Sequence, residues 1–193
     1  MNIFSSGIIL TANENACLLH MVPDAEIWVT STISEKIILR RDALINEWRP
    51  RLYADESVTE LPAESSALVT LIMARSDYKT RLQQDAEITP AETGVSRTPK
   101  DKYASVTRSG STVTLFSSGI NLADTDANCI LAYVQDIEEW VIGALMGQVN
   151  RGKKKMIAQY HPVIMADTRV TTMPATEDGL ITLILARSDY QSL

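Results

Sequence analysis

A gapless internal repeat constrains this chain more than any other feature. Ala74-Arg75-Ser76-Asp77-Tyr78 recurs 112 positions later as Ala186-Arg187-Ser188-Asp189-Tyr190. The same offset places Phe4-Ser5-Ser6-Gly7-Ile8 on Phe116-Ser117-Ser118-Gly119-Ile120, Cys17 on Cys129, Trp28 on Trp140, Pro50 on Pro162 and Asp55 on Asp167. Residues 1–81 align with 113–193 in one register, and 30 of the 81 pairs are identical. Chance likeness does not hold a register that long, so the pattern predicts a duplicated module. The expected organisation is one helical module over 1–81, a connector over 82–112 and a second helical module over 113–193.

The apolar spacing predicts helices. Ile130, Val134, Ile137, Val141 and Leu145 form one stripe at spacings of three and four, matched by Leu18, Val22, Ala25, Val29 and Ile33. One helix is expected near 127–146, and a second over 34–48 and 148–160, ended or kinked at Pro50 and Pro162. A last helix is expected to start near Ala63 and Ala175, burying Leu68, Leu71 and Ile72 and their counterparts Leu180, Leu183 and Ile184. The fold class is therefore mainly α: a tandem three-helix module with pseudo-twofold character. Phe-Ser-Ser-Gly-Ile reads as a turn or a short extended entry. In the connector, Lys102–Thr107 and Thr112–Phe116 alternate around Gly110 and predict a β-hairpin.

Composition narrows the function. The net charge of −6 argues against nonspecific binding to nucleic acid or an anionic membrane. No apolar run reaches membrane-spanning length, and the N-terminus lacks the pattern of a signal peptide. A chain that stays in the cytoplasm after synthesis, with two free buried cysteines, is the expectation.

Chemistry-bearing constellations are thin. No complete glycine-rich phosphate motif is present. His20 and His161 lie opposite Ala132 and Arg49 in the alignment, so no base is duplicated, and no metal-ligand spacing is found. A duplicated active site should duplicate its base. No catalytic residue, metal or cofactor is therefore expected, and the chain is read as not an enzyme.

Two groups are candidates for contact with a partner. Trp28 and Trp140 lie beside apolar stripes and suit a core or interface anchor. Arg151 with Lys153, Lys154 and Lys155 is the densest basic cluster, aligned with Leu39, Arg41, Asp42 and Ala43. It reads as a solvated face or a patch for an acidic protein or nucleic acid. In the repeated pentapeptide, Arg75, Asp77 and Tyr78, with Arg187, Asp189 and Tyr190, are expected to close a helix structurally. The arginine would sit near exposed carbonyls or a carboxylate, and the tyrosine would pack its ring with its hydroxyl in water.

The tryptophan-bearing helix, the proline-bounded aspartate loop and Leu-Ile-Thr-Leu-Ile-Leu-Ala-Arg-Ser-Asp-Tyr together resemble small uncharacterised helical units encoded by bacteriophages, over 13–81 and 125–193. That resemblance implies a virion, neck or tail component and carries over no functional residue. The leading expectation is a noncatalytic assembly protein that self-associates or binds a neighbouring protein. A regulatory protein- or nucleic-acid-binding module is the alternative, and an enzyme the third choice.

Overall fold

The computed structural model describes residues 1–88 and 110–190. Among them the chain is mainly helical, with two small two-stranded antiparallel sheets. The order is β1 (Asn2–Ile3), β2 (Ile8–Thr11), α1 (Ala12–Leu19), α2 (Ala25–Ala54), α3 (Ser65–Met73), α4 (Arg81–Glu87), β3 (Thr112–Leu115), β4 (Ile120–Asn121), α5 (Asp124–Leu131), α6 (Ile137–Ala166) and α7 (Glu177–Leu185).

Two expected helix boundaries are corrected. The stripe expected as one helix breaks before Asp24 and Asp136, and beyond each break α2 and α6 run unbroken for 30 residues. Each aspartate is an N-cap: Asp24 accepts from the Ile27 N–H and Asp136 from the Glu139 N–H, both at 2.9 Å. Such a cap stabilises a helix start by about 1 kcal/mol. Pro50 and Pro162 do not end their helices, which continue to Ala54 and Ala166. Proline inside a helix costs about 3 kcal/mol. Trp48 and Leu52 are buried on either side of Pro50, as are Tyr160 and Ile164 around Pro162, so both flanking turns are anchored by packing.

The strands join the two ends of the repeat. Ile3 pairs with Ile120 and Asn2 with Asn121, while Ile8 pairs with Leu115 and Ile9 with Thr114. Each pairing in the first sheet becomes one in the second when both members are shifted by the repeat offset and exchanged. Thr112–Leu115 is thus a strand, as expected, but its partner here is Ile8–Thr11. The expected partner, Lys102–Thr107, lies outside the described residues.

Phe-Ser-Ser-Gly-Ile is a tight turn in both places. The Gly7 N–H donates to the Phe4 carbonyl at 2.7 Å, and the Gly119 N–H to that of Phe116 at 2.8 Å. Both phenylalanines hold positive φ, 54° and 52°, and both glycines lie near 75°. A Cβ on Gly7 would stand 2.8 Å from the Leu115 carbonyl oxygen, and one on Gly119 2.9 Å from that of Ile3. Glycine is therefore required by conformation and by close approach of the opposing strand.

The helices cross over in the same way. α1 packs on α6 and α7, while α5 packs on α2 and α3. The larger apolar cluster gathers Cys17 and Leu18 with Met156, Ile164, Ile181 and Ile184, and extends through Val29, Ile33, Val141 and Leu145 where the long helices meet. The smaller cluster gathers Leu44, Ile45, Trp48, Leu52, Leu68, Val69 and Ile72 around Cys129. Each fully buried Leu or Ile stabilises these clusters by about 2 kcal/mol.

Candidate interaction surfaces

The repeated pentapeptide forms a clasp at the foot of each long helix. Arg75 donates to Asp77 at 2.9 Å and to Asp55, the C-cap residue of α2. Arg187 donates to Asp189 at 2.8 and 3.0 Å and to Asp167, the C-cap residue of α6, at 2.9 Å. The clasp ties the last short helix of each half to the end of its long one. Hydrogen bonds from Ser57, and then from Arg75, hold the Asp55 carboxyl at a pKa of about 2. Arg169 and then Arg187 hold Asp167 well below the usual carboxylate range.

The tyrosines behave otherwise than expected. Tyr78 packs on Trp48 at 6.0 Å, Tyr190 on Tyr160 at 5.8 Å, and the hydroxyls are turned inward. The Tyr78 hydroxyl donates to the Asn128 carbonyl of α5 at 3.4 Å, and burial pushes its pKa up to about 12. The Tyr190 hydroxyl is buried with no hydrogen-bond partner among the described residues. A ring placed to seal a core cannot also keep its tip wet when the neighbouring repeat covers it.

Trp28 and Trp140 are half-buried and pack against the larger cluster. Lys36 of α2 lies 5.3 Å from the centre of the Trp140 ring on α6, a cation–π contact between the two long helices. The basic cluster is divided. Lys153 is bonded to Asp178 at 2.7 Å, whereas Arg151, Lys154 and Lys155 are exposed on the outer face of α6.

Both cysteines are free and buried, each in a different cluster, so they do not face one another. Burial pushes the Cys17 thiol up to about 11 and also raises Cys129, which makes both poor nucleophiles. His20 is buried at the end of α1 and stacks on Tyr190 at 6.4 Å. Neither ring nitrogen completes a hydrogen bond among the described residues. Burial, reinforced by Lys155 and partly offset by the Gln159 side chain, lowers its pKa. Among the described residues no group of three or more His, Cys, Asp or Glu converges to hold a metal.

Sequence reasoning missed the polar contacts that cross between the repeats. The Phe4 N–H donates to Glu138 at 2.6 Å, and the Phe116 N–H to Glu26 at 2.7 Å. Arg41 of α2 pairs with Asp126 of α5. The repetition of Glu26 as Glu138 was a visible signal, but nothing in it named the opposite turn as the partner. Among the described residues no helix is long and apolar enough to cross a membrane. Neither the protein-family models, nor the curated proteins, nor the solved structures contain a match to this chain.

Proposed function

We propose that the chain is a noncatalytic assembly protein: a tandem duplication with pseudo-twofold character whose two helical units, 1–81 and 113–193, exchange their N-terminal arms. Following the resemblance to phage-encoded helical units, a virion, neck or tail component is the concrete form of this reading. The observation that carries it is the reciprocity of the duplicated polar contacts. Glu138 binds the Phe4 N–H while Glu26 binds the Phe116 N–H, and the Arg75 clasp on Asp55 and Asp77 has its counterpart in Arg187 on Asp167 and Asp189. These repeated charged groups are engaged in holding the scaffold together. What is left for function is surface, and two related surfaces on one chain suit a symmetric or repeating assembly.

The test is the mass in solution. Light scattering on the purified full chain is expected to give a multiple of 21.3 kDa that persists on dilution. A strictly monomeric species over a broad concentration range overturns the self-assembly form of the proposal.

A further inference from the structure

The outward faces of the two long helices differ most where the rest of the repeat agrees. On α2, Glu35, Ile38, Leu39 and Asp42 fall at spacings of three and four, so they share one face. All four are exposed, Ile38 at 56% and Leu39 at 66% of their full surface. The equivalent face of α6 carries Gly147, Asn150, Arg151 and Lys154. One helix therefore offers two acids flanking an apolar ridge, and the other offers two bases next to Gly147 and Asn150, with Asp42 and Lys154 opposite in charge at one matched position. None of the four charges is neutralised by an ion pair among the described residues, and Arg151 donates to Gln148 rather than to an acid.

An exposed Ile–Leu ridge needs a reason, because single apolar residues scatter over surfaces but adjacent ones on an outward helix face form a patch. The ridge is also present on one repeat alone. Had it been a requirement of the shared fold, α6 would carry it too. The opposite charge makes the two faces complementary in sign, and Gly147 and Asn150 leave room beside the two bases.

We infer that the α2 face of one copy of this chain docks on the α6 face of a second copy, with Glu35 and Asp42 meeting Arg151 and Lys154 around Ile38 and Leu39. The contact is heterologous, so an associated pair keeps one unused face of each kind and the association closes into a ring or continues as a chain. A polyanion is the competing occupant of the basic face. The chain's net charge of −6 opposes it at long range, and a polyanion would leave the apolar ridge uncovered. The inference rests on the self-assembly reading and specifies its interface.

The experiment uses two charge-reversed full-length variants, E35K/D42K and R151E/K154E, with folding checked by circular dichroism. Sedimentation velocity is run on each alone and on their equimolar mixture. Each variant alone is expected to lose self-association by about tenfold or more in dissociation constant, as like charges then face each other. The mixture is expected to recover it, because the basic α2 face of one variant meets the acidic α6 face of the other. Wild-type association should weaken as salt is raised. Wild-type-like assembly by either variant alone overturns the interface while leaving self-assembly standing. A mixture that stays dissociated does the same. A monomeric wild type overturns the interface and the assembly reading together. Retention of wild type but not R151E/K154E on duplex DNA, with assembly unchanged in the variant, assigns the basic face to a polyanion and overturns the inference.

Discussion

The two places where an N-terminal helix docks on the opposite repeat are built to one plan and packed in opposite ways. Where α1 lies on α6, Gly152 lets the backbones touch: a Cβ there would collide with the Cys17 carbonyl oxygen. Where α5 lies on α2, the matching residue is Arg40, and the helix is held by a side chain. The Arg40 guanidinium stacks 4.3 Å from the centre of the Tyr133 ring. The companion position alternates with it, since Met21 meets Gly152 and Tyr133 meets Arg40. One residue earlier in each N-terminal segment, His20 occupies the first site and Ala132 the second. The difference teaches that turns and clasps fix the register of the fold. The volume between the helices can then be filled from either side.

The largest expected effect breaks that alternation. Gly152→Ala should destabilise the chain by about 3 kcal/mol, because the added methyl meets a backbone carbonyl that only a shift of α1 can relieve. Arg40→Ala at the matched site should cost about 1–2 kcal/mol, the value of a partly buried cation–π contact with some lost packing. Urea midpoints measured for the pair check the ratio; equal losses would mean that the two interfaces are not packed differently after all.

A smaller effect sharpens the likeness between the turns. Glu138→Ala and Glu26→Ala each remove a charged acceptor from a phenylalanine N–H held at positive φ. A hydrogen bond to a charged group contributes about 1.5 kcal/mol when shielded and less when open to water. Phe4 is buried while Phe116 is only half-buried, so Glu138→Ala should shift the urea midpoint more than Glu26→Ala. A reversed order would place the stronger joint at the wrong end of the repeat.

The last effect is one of slope. The folded pKa of His20 lies below its ordinary value of 6.5, so the unfolded chain binds the proton first. The neutral ring's contribution to stability is whole above pH 6.5 and declines as the pH falls below it towards the folded pKa. His20→Ala, which copies the residue at 132, should flatten the decline in melting temperature between about pH 7 and pH 5. If wild type and variant decline in parallel, His20 is not what sets the acid sensitivity.

Much of the local architecture was legible. The stripes through Val29 and Ile33, and through Val141 and Leu145, marked buried helix faces, and these residues are buried. Gly7 and Gly119 marked turns because glycine and serine disfavour a helix interior. The helix boundaries were harder. An apolar stripe continues across the break at residues 20–24 and 132–136 because both sides bury the same face, so periodicity alone ran through it. The Asp24 and Asp136 caps were the readable signal. Pro50 and Pro162 misled in the other direction, because local propensity knows nothing of Leu52 and Ile164 being anchored beyond them.

The sequence by itself determined that one pattern recurs 112 positions on, where its turns lie, which faces are apolar and which polar residues recur. Only the tertiary structure decided what those faces and residues meet. A stripe states that a face is buried and never against which copy, since Cys17 and Cys129 offer identical patterns to either repeat. The choice rests on long-range terms that local spacing does not contain: the strand register of Ile3 with Ile120, the reach of Glu138 to the opposite turn, and the room that Gly152 leaves for α1.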